Sequence, residues 1–179
     1  NLIATIILAL YLSLGFLNHG VAMHRLQRWT TAQQLQPLVM GAIPVPLSPL
    51  HQRGVVITQE QVYDIPLSLF TPRFNAMHTY PSPFREDPYI QKAWQTPEGQ
   101  IFRWFARFPL ATHTQNSPLH RIVLHDLRFE TPQESLGWLG RWVARLIEAH
   151  DPELLDRKVF VLEIVLNQDG KFQQARFVH

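Results

Sequence analysis

Leu2–Leu17 reads LIATIILALYLSLGFL, a run without a single charge in which only Thr5, Tyr11 and Ser13 are polar. After it the chain turns polar and basic through Asn18, His19, His24, Arg25 and Arg28. A membrane span needs about 20 mostly apolar residues, and this run supplies most of them. A secretory signal peptide would place its basic residues ahead of the apolar core and a small-residue cleavage site after it. Here the basic residues follow. A buried core helix of a soluble protein would carry a polar stripe, which 2–17 lacks. The stretch therefore reads as a truncated N-terminal transmembrane helix. The opening Asn in place of Met adds the expectation that this is the last span of a longer membrane protein.

Orientation follows from charge. Arg25 and Arg28 flank the apolar run, and no Asp or Glu occurs before Glu60. Lys and Arg within about 15–20 residues of a span favour the cytoplasmic side. The expected orientation places the rest of the chain in the cytoplasm. Val21–Leu35 continues in amphipathic form. Val21, Leu26 and Trp29 are expected along the membrane surface, with Arg25 and Arg28 among head groups and the Trp29 indole at the interface. Membrane lipid and the rest of the protein's own membrane domain are the expected partners.

Residues 1–35 thus form the span and its juxtamembrane extension, and 36–179 one soluble domain large enough for a hydrophobic core. The chain has 179 residues, 46% hydrophobic, with a net charge of +2. That charge is too weak and too scattered for a nucleic-acid partner. The sequence contains no Cys, which excludes a disulfide framework, a thiolate metal site and a Cys nucleophile. Its 14 Pro gather largely in 37–49, 66–88 and 109–118, where extended connections are expected.

Gly54–Thr58 and Val62–Leu69 read as strands joined near Thr58–Gln61. Asp87-Pro88 and Thr96-Pro97 each pair a capping side chain with Pro at the first helical position. They predict helices over Pro88–Gln95 and Pro97–Phe108, the second burying Ile101, Phe105 and Phe108. Leu110–Thr114 and Arg121–Phe129 read as an antiparallel pair joined by a loop, Gln115–His120. Thr131-Pro-Gln-Glu134 is a capping box opening a helix to Ala149, with Leu136, Leu139, Val143, Leu146 and Ile147 on one stripe. That stripe can pack on the sheet or, with Trp138, Arg141, Trp142 and Arg145, lie on the membrane. A helical turn over Asp151–Asp156 follows. Lys158–Leu166, the turn Asn167-Gln-Asp-Gly170 and Lys171–Val178 make a terminal hairpin. The fold class is α+β: the apolar helix, then an antiparallel sheet of five or six strands with two or three helices.

Nine His invite a metal reading. His19 and His24 are five apart, about 140° around a helix. His120, His125 and Asp126 lie close in sequence but lack the spacing of converging zinc ligands. A hydrogen-bonded structural role is expected for His125 and Asp126. No nucleophile elbow, phosphate loop or metalloprotease helix motif occurs. No catalytic or metal residue is therefore assigned, and no cofactor is expected within 1–179. The side chains singled out are Arg107 and Arg128, each between apolar neighbours, and Asp126 as a carboxylate partner for one of them. They are candidate structural ion pairs or anion contacts.

Several motifs together resemble a known group. The apolar helix ending in His and Arg, PVPLSPL (Pro44–Leu50), GVVIT, IFRWFARFP (Ile101–Pro109), VLHDLRF (Val123–Phe129) and VFVLEIVLNQDGKF (Val159–Phe172) occur in this order. The order resembles the C-terminal region of the predicted bacterial membrane-bound metal-dependent hydrolases, the YdjM/YbcI-like group. The resemblance implies a location in the inner (cytoplasmic) membrane of a bacterium and a divalent-metal site built from His and Asp clusters ahead of the last span. None of those motifs occurs in this sequence, so no catalytic residue is carried over, and helix 132–149 stands as an insertion. The alternative function is a membrane-tethered, non-catalytic protein-interaction module.

Overall fold

The apolar run and its amphipathic extension form one unbroken helix, α1 (Leu2–Ala32). The computed structural model describes residues 2–46, 48–70, 74–130, 138–150 and 160–178, without the side chains of 75, 138, 139 and 141. Past Ala32 the chain leaves the helix through Gln34, which takes a left-handed φ of 54°. The described residues fall into two compact units. One lies within Asn1–Val56, Tyr63–Thr79 and Thr131–Leu155, the other within Ile57–Val62, Tyr80–Glu130 and Asp156–His179.

The two halves of α1 differ in what surrounds them. Residues 2–13 are all exposed, whereas Asn18, Ala22, Leu26 and Thr30 are buried. Those four recur every fourth residue and so make one stripe along the helix. Ala22 and Leu26 pack with Val56, Ile65 and Leu67. Trp29 meets Tyr63 edge-on at 5.3 Å and stacks on Phe74 at 5.9 Å. Gly54 permits this approach, because a Cβ there would sit 2.6 Å from a Leu26 methyl. Polar ties lock the seam. Asn18 donates to the Pro49 carbonyl at 3.0 Å, and the Arg25 guanidinium donates to the carbonyls of Ser68 and Leu69.

This withdraws Leu26 from the expected interfacial placement. Leu26 is fully buried and Trp29 half-buried against protein, while Val21 and Arg28 are exposed. The strands offer α1 an apolar surface of their own. Those strands are β1 (Val39–Pro44), β2 (His51–Ile57), β3 (Gln61–Ser68) and β4 (His78–Pro81), in that spatial order. The β2–β3 turn is the expected one, closed by Thr58 and Gln61 at 2.8 Å. Two of the Pro-rich stretches expected as extended connections carry strands, β1 within 37–49 and β4 within 66–88. Buried between β2 and β3, Arg53 and Asp64 form a two-pronged ion pair with both contacts at 2.6 Å.

In the second unit, Asp87 caps α2 (Pro88–Gln95) by accepting from the amides of Tyr89 and Ile90, and Thr96 caps α3 (Pro97–Phe105). The helices cover a second sheet of β5 (Pro109–Asn116), β6 (Leu119–Asp126), β7 (Val161–Asn167) and β8 (Phe172–Val178), antiparallel in that order. Ile90, Ala93, Trp94 and Phe102 pack with Ala111, Ile122, Leu124, Leu162, Ile164 and Leu166. The β7–β8 turn needs Gly170, whose φ is +75°.

The fold is α+β as expected, but the described residues form eight strands in two sheets of four where one sheet of five or six is expected. The supposed loop Gln115–His120 is the continuing β5–β6 hairpin. Leu127–Phe129 is a 3-10 turn, because the Asp126 carboxylate captures the Arg128 amide. Strand β7 begins at Val161 because Phe160, at φ 58°, lies outside the strand region. Helix α4 (Trp138–His150) leaves Trp142 and Leu146 exposed and Val143 and Ile147 half-buried. The capping box Thr131–Glu134, Leu136, the turn Asp151–Asp156 and the expected strand start at Lys158 lie outside the described residues.

Candidate functional site

Asp126 ends β6 with its side chain fully buried. Its oxygens accept from the amides of Arg107 at 2.8 Å, Phe108 at 3.4 Å and Arg128 at 2.9 Å, and from Arg128 Nε at 2.8 Å. Arg128 also donates to the Phe105 carbonyl at 2.8 Å, and its guanidinium lies 5.0 Å from the Phe105 ring and 5.3 Å from the Phe129 ring. The three singled-out residues thus come together, with distinct roles. Asp126 and Arg128 make the ion pair, while Arg107 contributes its backbone N–H. The Arg107 guanidinium lies over the Phe108 ring at 5.8 Å. Capture of the Arg107 and Phe108 amides also accounts for the end of α3 at Phe105. This carboxylate is saturated by donors, so it fixes structure and has no oxygen free for a ligand.

Helix α3 turns Gly99 and Phe102 inward. Ile101, Trp104 and Phe105 stand outward, Trp104 with 86% of its surface exposed. The expectation that Ile101, Phe105 and Phe108 share a buried helix face is therefore corrected. Phe108 is buried, but beyond the helix end. Phe105, Phe129 and Phe160 form one cluster, with ring centroids 5.9, 5.2 and 4.6 Å apart.

A second polar group was not foreseen. Asp87 Oδ2 lies 2.9 Å from His113 Nδ1, and His113 Nε2 lies 2.9 Å from His120 Nδ1. The buried His120 ring stacks on Tyr89 at 3.6 Å. A carboxylate can only accept, so His113 Nδ1 carries the proton of the first bond. The second bond needs one N–H and one lone pair, so only one of the two facing nitrogens is protonated. Burial works to raise the Asp87 pKa, but the Ile90 amide, the His113 ring and the Tyr89 amide outweigh it and hold the carboxyl below its ordinary value. The row joins the first turn of α2 to the sheet and can hold and pass a proton along its length. The Asp87 cap was legible, but the two imidazoles meet only through the β5–β6 register.

His125 belongs elsewhere, 3.5 Å from Glu130. The sequence cluster His120, His125 and Asp126 is therefore dispersed along β6. On β7, the buried Glu163 accepts from Arg121 at 2.8 Å and from Arg176 at 3.1 Å. Burial acts to raise its pKa, and the two guanidiniums together bring it below the ordinary value. Of the expected membrane-interface residues, Arg25 and Trp29 are engaged within the first unit and Arg28 remains exposed. Among the described residues no three His, Asp or Glu side chains converge as a metal site. No family model, curated protein or solved structure matches the chain.

Proposed function

We propose that this chain is the membrane-attached, cytoplasm-facing region of a bacterial inner-membrane protein, with the outer half of α1 in the bilayer. The observation that supports the reading best is the contrast along α1. One helix of 31 residues is long and apolar enough to cross a membrane, and its apolar half stands exposed instead of packing as a core helix. At 1.5 Å per residue, 2–17 spans about 24 Å of a hydrocarbon layer about 30 Å thick. Leaving such side chains in water forfeits roughly 1.5–3 kcal/mol for each large one. The inner half is bolted to β2 and β3 by Leu26, to the end of β3 by Arg25 and to the turn at Pro49 by Asn18, so the first unit is held by a continuous helix and not by a flexible tether.

Orientation rests on Arg25 and Arg28 and on the acid-free stretch before Glu60. The resemblance to membrane-bound metal-dependent hydrolases extends the proposal. In that reading the divalent metal and the hydrolytic chemistry belong to segments ahead of Asn1, and 36–179 supports them at the membrane surface.

The absence of Cys makes orientation directly measurable. A Gln173→Cys variant, at an exposed position on β8, is treated with a membrane-impermeant thiol reagent in intact spheroplasts and after lysis. Labelling only after lysis is expected. Equal labelling in intact spheroplasts would overturn the cytoplasmic placement.

A further inference from the structure

Strand β3 runs back along α1 towards the apolar half of the helix. At its start Tyr63 meets Trp29, and at its end the carbonyls of Ser68 and Leu69 take the Arg25 guanidinium. The chain then reaches Phe70, which has 74% of its surface exposed. Beside it runs 45–50, the connection from β1 to β2, whose Leu50 carbonyl accepts from the Leu69 amide at 2.9 Å. The same connection supplies the Pro49 carbonyl that accepts from Asn18, the residue directly after the apolar run. One turn nearer the chain start, Leu14 continues the stripe of Asn18, Ala22 and Leu26 and is half-buried, whereas 2–13 are exposed. The folded unit therefore reaches the level at which the apolar run ends, and 45–50 and Leu69–Phe70 are tied to α1 there.

Both segments are built to leave water. No Asp, Glu, Lys or Arg occurs in 29–52 or in 65–72, so neither segment would carry a charge into the bilayer surface. Lipid offers no partner to a free backbone donor, and 45–50 brings few. Pro46 and Pro49 have no N–H, and the amides of Val45, Ser48 and His51 donate to the carbonyls of His51, Val45 and Ser48. The Ser48 hydroxyl is bonded to His51 Nδ1 at 2.6 Å. We propose that 45–50 and Phe70 form a foot resting in the interfacial layer of the bilayer that holds α1, with the Phe70 ring at the boundary of head groups and acyl chains, where apolar and aromatic side chains of surface-bound segments lie. Continuity with the span selects lipid over a second copy, because the helix to which the foot is tied enters the bilayer within a turn of that tie. The proposal rests on the membrane attachment argued above.

The test uses the whole chain in vesicles of phosphatidylcholine alone or mixed with phosphatidylglycerol, each including lipid brominated near the head group or deep in the acyl chain. One fluorophore is placed, in separate variants, at Leu8→Cys, Phe70→Cys or Leu38→Cys. Leu38 is an exposed apolar residue at the opposite end of β1 from the foot, about 17 Å away along the strand. The Leu8 probe should be quenched by deep bromines. The Phe70 probe should be quenched by shallow bromines, several-fold more than the Leu38 probe and equally in both lipid mixtures. A quenched Leu8 probe with Phe70 quenched no more than Leu38 would overturn the docking and leave the attachment standing. Phe70 quenching confined to vesicles with phosphatidylglycerol would overturn it as well, because the foot carries no charge to make that distinction. Shielding of Phe70 that rises with protein density, without bromine quenching, would assign the surface to a second copy. No quenching at Leu8 or Phe70 would overturn attachment and docking together.

Discussion

The outer and inner halves of α1 belong to one unbroken helix, yet one half is exposed and the other is part of a core. Along 2–17 apolar side chains point in every direction, so no single face can be satisfied by a sheet. From Asn18 onward polar residues alternate with the Ala22 and Leu26 stripe, and one face can be buried while the other meets water. A uniformly apolar helix needs an apolar solvent, whereas a striped one needs only a neighbour. The second unit repeats the contrast on a smaller scale. Asp126 has every nearby donor turned towards it, while Trp104, on the helix that ends beside it, has its surface open.

Breaking the closed side should cost most. Asp126→Ala leaves buried amides and the Arg128 guanidinium without their acceptor, and we expect a loss of about 3–5 kcal/mol in denaturant unfolding. Trp104→Ala should stay within about 0.5 kcal/mol, as exposed substitutions do. An Asp126→Ala protein as stable as the parent would remove the carboxylate from the architecture. Next in size, Leu26→Ala empties a fully buried site and should cost about 2–5 kcal/mol, whereas Leu8→Ala in detergent should change unfolding by less than about 0.5 kcal/mol. Equal losses at both positions would mean that the two halves of the helix do not differ as described.

The smallest effect concerns acid. The folded pKa of Asp87 lies below 3.8, so its stabilisation is complete above that value and lost as pH falls through the folded pKa. Glu163 behaves alike below 4.5. Asp87→Asn should therefore flatten the decline in melting temperature below about pH 4 and lower the melting temperature near neutrality. A variant whose acid profile overlays the parent would show that the Asp87 charge, held by the Ile90 and Tyr89 amides and the His113 ring, contributes nothing.

These contrasts also mark what a reader of the sequence could and could not see. The composition of 2–17 announced the helix, and Asp87-Pro88, Thr96-Pro97 and Asn167–Gly170 announced two helix starts and a turn, because each signal acts within a few residues. The sequence extends α3 to Phe108 because the acceptor that ends it at Phe105, Asp126, lies about twenty residues downstream. The Asp87–His113–His120 row was missed because a hairpin register, read as a loop, brings the two rings together. Leu26 reads as lying along the membrane surface because β1, hidden among prolines, and its neighbours give no sign of the apolar surface they present. In each miss the deciding partner was distant in sequence.

The central claim, that the outer half of α1 resides in a bilayer, is tested most directly by alkaline carbonate extraction of membranes from cells expressing the chain, beside a Leu8→Arg/Leu12→Arg variant. Two charges within a span oppose insertion by about 2.5–3.5 kcal/mol each near its centre. The account predicts that the parent chain stays in the membrane pellet and that the variant moves to the soluble fraction with its inner, folded part intact. Release of the parent chain into the carbonate supernatant as a folded protein would contradict it.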